Sequence, residues 1–250
     1  MSDFYDRMAG LYHLIYPNWE ESIERQAEQL TGIIRERWGM GCRSILDVSC
    51  GIGTQSIGLA KRGFDVTASD LSENALARAK VESKRRGVAI DFSVCDMRSA
   101  LAHHRRPFDV VVSADNSITH LLNDDDLLLA LRQIYDCTRP GGGCLLTVRD
   151  YDREERGTGL IKPYGVRQEN GQRYVVFQVW DFAGPIYDMA MYFVVDDGNS
   201  DPVATHVMRT RFNAVGTDHL LALMRQAGFT ATERLDGRFY QPVLVGTRAT

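Results

Sequence analysis

In the run DVSCGIGTQ (47–55), an acid, Asp47, stands four residues ahead of Gly51 and six ahead of Gly53. Two more acids, Asp70 and Asp96, follow the short apolar runs FDVTAS (64–69) and AIDFSV (89–94). Glycine tolerates positive φ and lets a ligand approach main-chain N–H groups closely. Ligands of open parallel sheets lie beyond the C-terminal strand ends, so acids at three successive strand ends can border one pocket. An acid after the second strand accepts hydrogen bonds from both ribose hydroxyls of a nucleoside and rejects a 2′-phosphate. NAD and S-adenosyl-L-methionine both meet that description. The dinucleotide fingerprint, however, expects a third glycine where this chain has Ser56, and it sets a pyrophosphate on the next helix N-terminus. An acid at position 47 instead suits a cofactor with a cationic amino-acid tail. The residues favour the sulfonium cofactor.

The elements that must hold these groups follow from hydrophobic period. A helix is expected over 18–38, capped by Asn18, with Glu20 and Glu21 at its positive end and Ile23, Ala27, Leu30, Ile34 and Trp38 on one face. Strands are expected at 44–49, 64–69, 89–94 and 108–114, alternating with helices at 54–62, 72–87 and 124–138. A turn at Pro140-Gly141-Gly142-Gly143 is expected to lead into a strand over 143–150. Short connections between alternating strands and helices imply a parallel sheet wound on both faces. After Tyr151 the rhythm changes. Runs at 173–182, 186–195 and 205–215 read as consecutive antiparallel strands, and a helix (217–227) and strands at 230–235 and 241–247 close the chain.

The expected fold class is therefore α/β: a doubly wound, Rossmann-like, seven-stranded sheet with an antiparallel β insertion before the last strands. The chain divides on this reading into an N-terminal cap and helix (1–42), a cofactor-binding core (43–151), an insertion or lid (152–215), and the completion of the core sheet (216–250).

Composition excludes several classes. With 250 residues and 44% apolar content, the chain can build one large core or a core plus an insertion. A net charge of −4 gives no general attraction to polyanions, and the basic runs at 84–86 and 103–106 read as solvated turns. No apolar run approaches the ~18 residues of a membrane span, and Met1 to Arg7 lacks the apolar stretch of a signal peptide. The five cysteines (Cys42, Cys50, Cys95, Cys137, Cys144) are odd in number and show no C-x-x-C spacing. They read as small buried thiols in a reducing, cytoplasmic compartment. The expected partner is a small molecule, with neither nucleic acid nor membrane, and oligomeric state is left open.

The D-x-x-x-G-x-G pattern at Asp47 to Gly53, Asp70 after the second strand, and CDM at 95–97 together resemble the class I S-adenosylmethionine-dependent methyltransferases. The resemblance implies that Ser49 to Gly53 hold the methionyl part, Asp70 the ribose, and Asp96 with Met97 the adenine. Leu71 and Ala114 belong to the same expected cofactor shell. A narrower likeness, in DNSITHL (115–121), TRPGGGCLLTVRDYD (138–152) and YDRMAGLYHLIYPNW near the N-terminus, is to glycine and glycine/sarcosine N-methyltransferases. It implies that Asn116 touches an amino-acid substrate, Arg149 grips its carboxylate and Tyr16 lines the pocket. His120 would lie near the cofactor and Tyr5 would fold over it. Tyr164, Trp180 and Arg211 are expected lid residues facing the substrate, and Phe212 stands about where that family often has tyrosine.

Methyl transfer from a sulfonium asks mainly for alignment, so no metal or covalent nucleophile is required. A planar guanidinium at 149 can hold a carboxylate through two parallel hydrogen bonds, and the Asn116 carbonyl could orient a neutral amine. Asp124-Asp125-Asp126 after Asn123 read as a helix start rather than a magnesium site. His103-His104 lack partners at ligand spacing, so no metal is expected. The segment Asp115-Asn116-Ser117-Ile118 lacks the Pro-Pro-aromatic motif of DNA amino-methyltransferases. O- or C-methylation of a biosynthetic small molecule stands as the alternative. A nicotinamide-dependent oxidoreductase and a non-catalytic cofactor-binding module remain further readings from other classes.

Overall fold

The computed structural model describes residues 2–250. Seven strands form one sheet: β1 (Ser44–Asp47), β2 (Asp65–Asp70), β3 (Asp91–Val94), β4 (Phe108–Ser113), β5 (Thr138–Thr147), β10 (Thr230–Leu235) and β11 (Val243–Thr247). Their order is β3-β2-β1-β4-β5-β11-β10, and only β11 runs antiparallel to its neighbours. Four more strands, β6 (Leu160–Glu169), β7 (Gln172–Ala183), β8 (Ile186–Asp196) and β9 (Ala204–Asn213), make a separate antiparallel sheet in sequence order.

β1, β4 and the second half of β5 carry short apolar runs because both faces of the large sheet are covered there. Side chains alternate between faces with period two. Leu46, Val111, Leu146 and Leu244 pack with α6 (Asp124–Cys137) and α7 (Thr217–Gln226). Ile45, Val110, Val112, Leu145 and Val245 pack on the other face with α2 (Trp19–Trp38), α3 (Thr54–Lys61) and α4 (Glu73–Arg85). The expected caps form: Asn18, Ser72 and Asn123 each accept a backbone N–H in the first turn of the helix that follows. Asp124 to Asp126 thus open α6, where their charge suits the positive helix end.

Two expectations are corrected. Residues 140–143 do not form a turn: β5 runs through them, pairing Gly141 and Gly142 with Arg248 near the C-terminus. Glycine is needed there for close approach, since a Cβ on Gly143 would stand 2.0 Å from the Trp38 ring. The second sheet also has four strands, not three. β6 escapes pattern reading because Pro163 and Gly165 interrupt it at a bulge, as an edge strand allows. The N-terminal segment contributes α1 (Ser2–Met8) and a 3-10 turn over Tyr12–Ile15. A short helix, α5 (Ala100–His104), leads towards β4.

Candidate active site

Strand order reverses between β1 and β4, and a crevice opens beyond their C-terminal ends, as the general rule for open sheets requires. The loop after β1 turns at Gly51 (φ 53) and Gly53 (φ 89) to enter α3. A Cβ on Gly51 would stand 3.3 Å from the Tyr12 ring, so only a bare backbone leaves space between loop and roof. Tyr5, Ser49, Gly51, Asp70, Leu71, Asp96, Met97 and His120, all expected cofactor residues, line one cavity there. Tyr12, Val48, Cys95, Arg98, Ser117 and Leu121 complete its wall and were not expected.

Asp70 receives Gly51 N–H at 2.8 Å and Ser72 N–H at 2.9 Å. Burial raises its pKa, and those backbone donors pull it back down. Its two oxygens each keep acceptor capacity for a ligand. Burial opposes the charge on Asp96, yet the Arg98 side chain and N–H hold that carboxyl below its ordinary range. Arg98 is fixed in turn by Asp126 at 2.9 Å.

Asp47, Gly53 and Ala114 lie behind the wall. Asp47 is buried under the loop, accepting Ser49 N–H at 3.1 Å and the Ser56 hydroxyl at 2.6 Å. Burial first, and Asp70 to a lesser degree, push it up to about 6. Ser56, at the position of the missing third glycine, is therefore the residue that steadies this carboxylate.

Tyr5 and Tyr12 roof the cavity. Tyr5 Oη lies 2.8 Å from His120 Nε2, and His120 Nδ1 lies 3.1 Å from the Arg211 carbonyl oxygen. A carbonyl only accepts, so Nδ1 carries the proton and Tyr5 donates to Nε2. Burial pushes His120 down to about 4, so the ring is neutral near pH 7. Phe212 stacks on it with ring centroids 4.0 Å apart.

Tyr5 and Tyr12 also line an inner pocket under the second sheet. That pocket meets an open cleft at five residues common to both: Ile15, Asp115, Arg149, Tyr164 and Gln178. Tyr16 lines the cleft. Arg149 stands just beyond β5 with its guanidinium 4.8 Å over the Trp180 ring. Among the described residues its one ion pair, to Glu154, is long at 3.8 Å, and its Nε is buried without a hydrogen-bond partner.

The structure adds to or corrects four expectations. Asn116 does line the inner pocket, but its carbonyl accepts Arg149 N–H at 3.0 Å and its amide donates to Tyr151 at 2.6 Å. These bonds fasten the ends of β4 and β5, and the amide oxygen keeps a second lone pair. Trp180 is wholly buried and supports Arg149 from behind instead of facing the cleft. Arg211 pairs across the sheet with Asp188, and both side chains are exposed on the face away from the cleft, a consequence of strand alternation. His103 and His104 do have a partner: their ring nitrogens and Cys95 Sγ lie within 4.8 Å of one another. His103 Nε2 lies 2.9 Å from Ser93 Oγ on β3, which brings α5 to the strand end before Cys95, a meeting that spacing in sequence does not reveal. Sequence reasoning also missed Tyr151, whose hydroxyl links Asn116 to Tyr187 at 2.9 Å, and Asp115.

A mostly parallel sheet with one reversed strand, carrying a glycine loop and acids at successive strand ends, is suited to hold a nucleoside-bearing ligand at its strand ends. Residues 45–142 match the family described as methyltransferase domain. Residues 45–142 thus form a methyltransferase domain, and S-adenosylmethionine is the cofactor that this domain and its structural neighbours support. The chain is 33% identical to the glycine/sarcosine N-methyltransferase of Parasynechococcus marenigrum over 162 residues, 65% of this chain and 55% of that protein. It is 34% identical to rat glycine N-methyltransferase over 134 residues, 49% of this chain and 45% of that one. The chain thus spans about half the length of the curated relatives it matches. Among solved structures, DesVI of Streptomyces venezuelae superposes with a TM-score of 0.83 at 24% identity, covering 96% of this chain and 98% of that one. The sugar N-methyltransferase KedS8 of a Streptoalloteichus species superposes at 0.79 and 23% identity, covering 96% and 93%. Both likenesses concern the fold. Among the described residues no helix is long and apolar enough to cross a membrane.

Proposed function

We propose that the protein methylates the amine of a small, carboxylate-bearing acceptor of the glycine or sarcosine kind. The observation that carries this reading is Arg149, whose guanidinium faces the junction of inner pocket and cleft with only one long internal ion pair. A guanidinium so placed can hold a carboxylate through two parallel hydrogen bonds and fix the amine beside it. The names of the sequence relatives agree with such an acceptor.

The bound cofactor supplies a methyl group already activated by its sulfonium, transferred in line as the carbon–sulfur bond breaks. The chain supplies position. The loop 49–53 and Asp70 anchor one end of the cofactor, Asp96 and Met97 the other, and Tyr5 and Tyr12 cover it. Residues 152–215 act as the lid, 1–42 as the cap, and 43–151 with 216–250 as the cofactor-binding core. Alignment of this kind is worth up to ~7–11 kcal/mol. A second reading, an amine on a larger sugar-like acceptor, is favoured by the breadth of the cleft, which runs from Tyr16 and Arg25 to Tyr240, and by the whole-chain likeness to KedS8.

Arg149→Met tests the reading. Cofactor affinity should hold while single-turnover methylation of sarcosine or glycine falls at least a hundredfold, since losing one partner of a buried charge pair costs about 2–5 kcal/mol. A lower melting temperature with turnover intact would mean that Arg149 only ties β5 to Glu154.

A further inference from the structure

Asp115 has no part in the roles above, yet it lines both the inner pocket and the cleft. It follows β4 with φ 55, and Asn116 continues at φ 67. Two successive non-glycine residues in the left-handed region are sparsely populated, and such backbones persist where a site over-determines them. The carboxylate is held from three sides. Oδ1 accepts Tyr240 Oη at 2.7 Å and Gln241 Nε2 at 3.4 Å, and Oδ2 accepts Tyr16 Oη at 3.2 Å. The Asp115 N–H donates to Thr147 Oγ1 at 2.7 Å. Its side-chain partners among the described residues are two hydroxyls and an amide, all neutral. A half-buried carboxylate clamped by neutral donors and facing a ligand pocket lacks its cation.

Arg149 stands at the same junction without being paired to Asp115, so one negative and one positive group face the same space. We propose that Asp115 is the ammonium-binding and proton-accepting group of the site, so that the acceptor enters as a zwitterion, with its ammonium on Asp115 and its anionic end on Arg149. This rests on the N-methyltransferase reading and adds the ionic form of the acceptor. An ammonium nitrogen has no lone pair and cannot attack. Asp115 takes one N–H proton, the N–H bonding pair stays on nitrogen as the lone pair, and the proton then leaves to solvent in the open cleft. One proton is released per methyl transferred, and nothing is oxidised or reduced. The Tyr16 phenol stays protonated as a donor, because burial and then the neighbouring Asp115 raise its pKa. The competing explanation is that Asp115 only pins the end of β4 to residues 240–241 and the N-terminal segment.

Calorimetry on protein loaded with S-adenosylhomocysteine separates the two, with sarcosine, glycolate and methylammonium as probes. Wild type should bind sarcosine at least tenfold more tightly than glycolate, and bind methylammonium measurably. Asp115→Asn should lose the preference and the methylammonium binding while keeping its affinity for S-adenosylhomocysteine. Arg149→Met should do the reverse, keeping methylammonium and losing glycolate. Should Asp115→Asn fail to fold, Tyr240→Phe, which leaves the carboxylate but removes one of its hydroxyl donors, should weaken methylammonium severalfold without touching glycolate. Methylammonium binding equal in wild type and Asp115→Asn, or unaffected in Tyr240→Phe, overturns the proposal. A wild type that binds methylammonium through Asp115 but neither binds nor methylates sarcosine would instead overturn the carboxylate-bearing acceptor and leave the ammonium site standing.

Discussion

Asp47 is costly to the empty protein. Burial raises its carboxyl to about 6 from 3.8, so its contribution to stability is most favourable below pH ~4 and is lost as pH rises through 6. At two units the cost at neutral pH is about 2–3 kcal/mol. His120 acts with the opposite sign. Its depressed pKa of about 4 favours the fold above pH ~6.5, and that stability is lost as pH falls towards 4. Asp47→Asn should therefore raise the melting temperature of cofactor-free protein at pH 7–8, with the gain vanishing below pH 4. The same variant should bind S-adenosylmethionine less tightly, because a negative charge behind the glycine loop is gone. Equal melting curves at all pH values would show that the carboxylate is better solvated than its burial implies. Asp47, Asp70 and Asp96 were legible because each ends a recognisable strand. Asp115 was not, since its hydroxyl donors Tyr16 and Tyr240 lie 99 and 125 positions away and meet it only through the fold.

The elements divide in the same way. β1, β4 and the second half of β5 announce themselves because two-sided burial leaves short apolar runs, and α2, α4 and α6 because Asn18, Ser72 and Asn123 cap them. Glycine misled where it serves packing instead of turning. At Gly143 the absent side chain makes room for Trp38, whose Nε1 donates to Thr247 Oγ1 at 3.0 Å across the sheet. Gly143→Ala should cost about 1–3 kcal/mol by overpacking and shift the end of α2, read as a lower denaturation midpoint with a changed tryptophan emission. An unchanged midpoint would mean that Trp38 swings aside freely. β6 was missed for the converse reason, since Pro163 and Gly165 mark a bulge inside a strand and not its end.

Across the whole molecule, the roof over the cofactor cavity is fastened from two directions. Asp6 on α1 accepts the Ser72 hydroxyl at 2.6 Å, and Arg78 donates to the Ala9 and Gly10 carbonyls, tying the segment to α4. From the second sheet, Arg167 donates to the Tyr16 carbonyl at 2.9 Å, and His13 meets Glu169 at 2.8 Å. Arg167→Ala should loosen residues 11–17, seen as faster amide exchange there, and should raise the dissociation rate of S-adenosylhomocysteine severalfold with little effect on melting temperature. Unchanged exchange would show that the roof is held by α4 alone. Among the described residues the cleft on the far side of the inner pocket carries no such cover. On the proposed reading, release of the acceptor would ask for no rearrangement, whereas renewal of the spent cofactor would ask the roof to lift. An amine that receives more than one methyl would then be handled distributively: the monomethylated species would escape and accumulate in solution, and later rounds would begin from free intermediate instead of a retained one.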